Sequence, residues 1–528
     1  MTNSLRMPRI SVLLAGCLAG VALLMTATAA SAKTYRPTRS DDPKPNGCKP
    51  NNCSLREAVI AANNTPAPSC RVGGPALRKC PKIVLQPGRR YRLTRRSRGS
   101  DSPTAGDLDL QSAPRSVTYF TIETADGGSP ATIDADGIDR VIDSAGSSGL
   151  TLNRVVLRGG HARGQTTPND ISGANGGAIY AGFVNIKNSR LVKNTADGDG
   201  GAVYSRGGGL KVSKSRLKNN SAAGDGGALF MDGEADRILA EVTRTRATHN
   251  RAGGAGGMGA FTNEAGIKLS RSYVADNRAS GPGGAIFSTP GNQEGLDVAI
   301  DRSTITGNET GASGGGLLTS FTEVTNSTIS ANRAEGDGGG LVATVSGTFP
   351  ASPPGLQVEN STIANNKAGG SGGGVSTSSG FTTARLVAAT VVRNSAGLGG
   401  GIYQGTTDVL SAENAIVALN SAASGPDCFT ASTGIGSQGH NLFGDPSGCS
   451  GFTAAGDLIG GALKLGKLAK NGGPTKTVAL QKGSRAIGAA DPSALPPEVV
   501  RFDQRGFRRY KAPDVGAYER VKKKKAKK

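Results

Sequence analysis

Apolar and polar residues alternate along this chain in short bursts of two or three, broken by asparagine and glycine, and the bursts recur as near-copies. "NSRLVKNTADGDGGAV" at 188–203 returns as "KSRLKNNSAAGDGGAL" at 214–229 and as "NSTISANRAEGDGGGL" at 326–341. With one asparagine of each phrase as origin, the register is shared by Asn194, Asn220, Asn250, Asn277, Asn308, Asn332, Asn366, Asn394 and Asn420. Ten before it stand residues such as Val184, Leu210 and Ile267, eight before Ile186, Val212 and Leu269, and three before Leu191, Leu217 and Val274. Two after it, alanine fills every repeat except the one with Thr310, and a Gly-Gly pair follows at six and seven in the first eight repeats. All variation in repeat length falls at one place between blocks.

An apolar spacing of two is a strand signal, because successive side chains point to opposite faces. Each repeat therefore predicts a short strand, a bend, a second strand, an asparagine turn and a glycine-led third strand. No single repeat can bury its apolar face alone, so the repeats must stack. The predicted fold is all-β, a single-stranded right-handed parallel β-helix running over 115–425. Asparagine suits strained turn dihedrals and can form ladders between coils, and the Gly-Gly pair supplies positive φ and close approach at a corner. The aromatic column Tyr180, Tyr204, Phe230 and Phe287 is expected to stack as packing rather than as a ligand platform.

A solenoid exposes strand edges at its ends, which invite aggregation unless covered. "CSLREAVIAANN" at 53–64 suits a cap: Ser54 with Glu57 forms a capping-box pattern, and Leu55, Ala58, Val59 and Ala62 share one helical face. Arg56 and Glu57 belong to this cap rather than to a catalytic pair.

These segments carry a resemblance. "CSLREAVIAANN" is similar to the CSLREA motif, and "DQRGFRRYKAPDVGAYE" at 503–519 resembles the end of the choice-of-anchor Q domain. "SGPDC", "GHNLFG" and "NGGPTKTVALQKGSRAIGAA" between them are also similar to that family, and the glycine repeats resemble polymorphic outer-membrane proteins and the wider pectin-lyase-like group. The chain departs from the family at Ser484–Ala490, where "SPAIDAG" is common, so no role of that aspartate carries over. The resemblance implies an exported, surface-associated β-helix whose relatives end in different anchors. It divides the chain into a cap region at 48–114, the β-helix, and a disulfide-containing C-terminal cap region at 426–520. No LPxTG anchor follows, and the lysine-rich 521–528 is at most an electrostatic tether.

The remaining composition refines this picture. Arg6 and Arg9 precede the apolar run "ISVLLAGCLAGVALLM", and small residues at Ala30–Ala32 predict a secretory signal over 1–32, with a linker at 33–47. A lipobox reading of "LAGC" at Cys17 competes, but the apolar run continues past that cysteine. No later stretch is apolar enough to span a membrane. Six cysteines remain, and their clustering makes Cys48 with Cys53, Cys70 with Cys80, and Cys428 with Cys449 the simplest disulfides of an exported chain. Zinc is the alternative, without a CxxC or clustered histidines to favour it.

Net charge is +21, or +13 once the two leader arginines and six tail lysines are set aside, which points to anionic polymers as partners. Six before the asparagine, consecutive repeats carry Lys214, Arg244, Arg271 and Arg302; four before it, Arg190, Arg216 and Arg246 line up. Like charges stacked at coil spacing repel by about 1 kcal/mol per close pair even in water, so a bound anionic polysaccharide or cell-envelope polymer would relieve them. A solvated face with splayed side chains is the plain alternative. Only 4% of residues are aromatic and tryptophan is absent, which disfavours base-stacking and specific nucleic-acid recognition. A monomer is expected.

Catalysis has less to stand on. Asp197, Asp199 and Asp225 are the best candidates for calcium or acid–base work, the last two sharing a position in adjacent repeats, but acidic residues beside glycine are common turn formers. His161, His249 and His440 lie far apart. The sequence predicts an adhesin-like or polymer-binding scaffold with no catalytic centre or cofactor, a polysaccharide lyase or glycoside hydrolase being the alternative.

Overall fold

A computed structural model describes residues 33–65, 80–96, 103–111, 119–164, 173–234, 238–289, 297–344, 355–377, 382–431, 434–493 and 495–521. The leader at 1–32, Cys70 and the terminal lysines lie outside the described residues.

Among the described residues, parallel strands form three ladders of 23, 14 and 10 strands that run the length of one solenoid. The pairings join one coil to the next in register, as in Leu191↔Leu217↔Ala247↔Val274, with bulges in the 23-stranded ladder between Ala181 and Phe183 and between Ala412 and Glu413. Inward residues at the predicted positions are fully buried and form one continuous core from Tyr35 to Phe443. The third ladder is built mostly of two-residue strands such as Thr195–Ala196 and Ser221–Ala222, in which the alanine is the inward residue, and ends in the four-residue strands Ser395–Leu398 and Ser421–Ser424. Upstream, the ladders extend beyond residue 115: Lys82–Leu85 pairs with Tyr119–Thr124, and Thr34–Tyr35 pairs with Lys82–Leu85.

The asparagines form a buried ladder. From Asn220 onward, Oδ1 of each accepts both the backbone N–H and the side-chain amide of its predecessor, as Asn250 does from Asn220 at 3.1 and 2.9 Å. The strained residue is the one before the ladder asparagine: Lys193, Asn219, His249 and Asp276 have φ between 56° and 58°. The two glycines of a corner divide their tasks. Gly226 has φ 66°, while a Cβ on Gly227 would lie 2.3 Å from the Gly257 carbonyl oxygen of the next coil. Tyr180, Tyr204 and Phe230 stack at 5.3 and 5.0 Å between ring centres, and Ala260 stands between Phe230 and Phe287.

Helix Leu55–Asn63 closes the first coil, with both reciprocal bonds of its capping box present and Leu55, Ala58, Val59 and Ala62 in the core. Arg56 is buried beneath it, paired with Asp42 at 2.8 Å and donating to the carbonyls of Gly106 and Asp107. At the far end Phe452 packs on Phe443, in a loop held by the Cys428–Cys449 disulfide. Cys48 and Cys53 are also joined, and Cys80 is disulfide-bonded.

After the last coil the chain does not leave the solenoid. Residues 463–493 and 495–521 fold back along the outer face of the 14-stranded ladder, where Leu465, Val478, Leu480, Ala486 and Val515 cover Ala364, Val392, Ile416 and Leu442. Gln504 fixes this return segment, donating to the Ser327 carbonyl at 2.9 Å and to the Thr328 hydroxyl at 2.9 Å.

A candidate anion-binding groove

The return segment explains a gradient along one outward column of the 14-stranded ladder. In register order the column reads Arg190, Arg216, Arg246, Tyr273, then Thr304, Thr328, Thr362, Thr390, then Ile416 and Leu442. The apolar end lies under the return segment and the cationic end is exposed.

Between the two cationic columns runs a ladder of buried hydroxyls five positions before the asparagine. Ser189, Ser215, Thr245, Ser272, Ser303 and Ser327 each donate a backbone N–H to the side-chain oxygen of the next coil, at 3.0–3.3 Å. Burying this small residue turns its neighbours on both sides outward. Serine or threonine at this fixed register is the sequence signal for the ladder, one that the cation columns alone do not reveal.

The result is an open groove of about 450 Å³ lined by Arg190, Lys214, Arg216, Arg244, Arg246 and Arg271, with Tyr273, Pro130 and Asn188 also on its walls. Six of the seven predicted cations therefore meet. Arg302 does not join them; it pairs with Asp301 at 3.2 Å and faces a different cavity. Among the described residues none of the six has a carboxylate within ion-pair distance. Arg246 lies over the Tyr273 ring, 4.2 Å from its centre. Other charged columns behave differently: Lys211 pairs with Glu241 at 2.9 Å on the next coil, and Arg278 with Glu309 at 3.7 Å.

The aspartate candidates have structural partners. Asp199 Oδ1 accepts the Asp225 N–H at 2.7 Å, and Asp225 Oδ1 accepts the Ala255 N–H at 2.6 Å, so the pair continues a capping ladder begun by Asn175. Burial pushes the Asp199 carboxyl above the ordinary range. Asp197 stands apart from both and bonds His161 Nε2 at 2.8 Å. Among the described residues no three His, Cys, Asp or Glu side chains converge as a metal site. His440 Nδ1 meets the Ala489 carbonyl at 2.8 Å.

A second cavity of about 550 Å³ opens at the seam between the solenoid and the return segment, lined by Arg302, Glu323, Glu359, Phe502 and Gln504 among others. Burial, with Glu359 nearby, raises the Glu323 carboxyl. No described helix is long and apolar enough to cross a membrane. The fold and groove together define a parallel β-solenoid with one cationic flank. No family model matches the chain, and no curated protein matches it in sequence.

Proposed function

We propose that this chain is a secreted or cell-surface scaffold of the CSLREA and choice-of-anchor Q type that holds anionic polymers, adhesin-like, on its basic flank. One observation carries the reading. Lys214, Arg244 and Arg271 all sit at φ 49°, in the left-handed region, at a position where other coils place Asn188, Asn326, Asn360 and Asn414 with φ 49–51°. Asparagine enters that region far more readily than a long unbranched side chain, for which it costs about 1 kcal/mol. Three successive coils thus hold cations that have no ion-pair partner among the described residues, whereas the cations at the same position in coils to either side, Arg154 and Arg302, pair with Asp126 and Asp301.

The same comparison supplies the test. Replacing Lys214, Arg244 and Arg271 together with asparagine should leave the melting temperature unchanged or raised while retention on an anionic polysaccharide column is lost. Unchanged retention, or unchanged retention of the Arg244→Gln, Arg271→Gln pair, would remove the proposal. A second reading, a glycan hydrolase, is favoured only by Glu323 and Glu359 sharing the seam cavity. On that reading an acidic glycan incubated with the protein releases reducing ends, and Glu323→Gln abolishes the release.

A further inference from the structure

The groove is bounded, and its charge is dense. Its lining comes from four successive coils, which contribute Arg190, then Lys214 with Arg216, then Arg244 with Arg246, then Arg271. Three steps of ~4.8 Å between parallel strands give it a length of about 14 Å. Upstream it stops at Pro130, in a loop that Arg154 ties down through Asp126 at 3.1 Å and the Gly128 carbonyl at 3.0 Å. Downstream it stops at Tyr273, with Arg246 stacked on the ring, and the next residue of that column is the uncharged Thr304.

The two central coils each present a pair of cations flanking one buried hydroxyl residue, Ser215 or Thr245. A bound chain running parallel to the solenoid axis thus meets two cations per coil step. A sugar chain with one carboxylate per ring advances by roughly one coil spacing per residue and would neutralise about half of them. A ring carrying two anionic groups matches them. Arginine also forms paired hydrogen bonds to oxyanions, and the apolar edges of Tyr273 and Pro130 give a ring hydrocarbon to rest on.

From this matching we infer that the groove takes a short stretch, about three rings, of a densely sulfated saccharide. The inference rests on the anion-binding reading above and adds length and ligand class to it.

The test uses the whole chain and three size-graded series, compared at one salt concentration and then across a salt range: dextran sulfate oligomers, oligogalacturonates and inorganic polyphosphates. Affinity for the sulfated series should climb with length and level off at three to four rings. At that length the oligogalacturonates should bind at least tenfold more weakly. The Lys214→Asn, Arg244→Asn, Arg271→Asn variant should lose at least tenfold, with the slope of log affinity against log salt falling by about three, the number of contacts removed. Equal binding of the uronates, tighter binding of polyphosphate, or affinity that keeps rising with length per site would overturn the inference while leaving the anion-binding reading intact. Absence of binding to all three polyanions would overturn both.

Discussion

Replacing Asn277 with alanine is expected to lower the unfolding free energy by about 3 kcal/mol, the sum of more than one buried polar group left without a partner. Asn277 Oδ1 accepts the N–H of Asn250 at 3.0 Å and its side-chain amide at 2.8 Å, while Nδ2 donates to Asn308 Oδ1 at 2.9 Å and to the Ala247 carbonyl at 3.3 Å. Alanine keeps none of these and strands a backbone N–H where no water reaches. Aspartate at the same place keeps the acceptor but loses the donor, setting its second oxygen against two others. Only at the end of the ladder does the fold place one: Asp427 receives both the N–H and the amide of Asn420 at 2.9 Å. Because each coil touches only its neighbours, the damage should be local. Hydrogen exchange at the Asn250 amide should accelerate far more than at Asn366, and a urea midpoint should report the loss. An Asn277→Ala protein with unaltered midpoint and exchange would show that the ladder is decorative.

The second large effect concerns the return segment. Arg509 is wholly enclosed and donates to the carbonyls of Asp514 and Gly516 and to Asn360 Oδ1, with Glu519 at 3.5 Å. Arg509→Met leaves Glu519 buried beside no cation, which typically costs about 3–5 kcal/mol. The penalty should appear as undocking of 463–521, since the coils beneath are held by their own ladders. It should also depend on pH. Burial already raises the Glu519 carboxyl, and Asp514 likewise, so the docked state binds their protons more tightly than the undocked one. Docking is then fully favoured below the ordinary carboxylate range and weakens as pH rises through the raised values. In the variant, limited proteolysis should cut within 463–521 at about pH 8 and spare it at about pH 5, while solenoid amides stay protected at both. Cleavage equal at the two pH values would contradict this assignment.

Much of the architecture could be read from residue register, and what could not has physical reasons. Leu191, Leu217 and Val274 announce an inward position because a strand has a period of two. Ser54 and Glu57 announce a helix start because reciprocal capping needs those two side chains at that spacing. The third ladder was less legible: Thr195–Ala196 is too short to alternate, so its alanine registered as a constant without a role. The upstream coils through Tyr35 and Ile83 lack the asparagine phrase, so the sequence predicts only linker and cap there. The turn strain was displaced by one residue, since the ladder asparagine is held by hydrogen bonds and its predecessor takes the left-handed φ. Least legible was the return segment, because Gln504 meeting Ser327 is a contact across 177 positions that no local pattern encodes. That contact nevertheless bears on the candidate site: the return segment covers the coils where the column of Arg190 has become apolar and leaves bare those where it is cationic.

The solenoid and its groove depend on matched register about a single axis, and pulsed electron-spin distances measure that directly. Arg251, Arg278, Glu309, Arg333, Lys367, Ser395 and Ser421 occupy successive coils of the third ladder. Spin labels at Arg251 with Lys367 should give about 19 Å, and at Arg251 with Ser421 about 29 Å, four and six steps of ~4.8 Å. Narrow distributions at those two values are the predicted result. Broad distributions, or separations unrelated to the number of coils between the labels, would contradict the stacking from which the cationic groove is built.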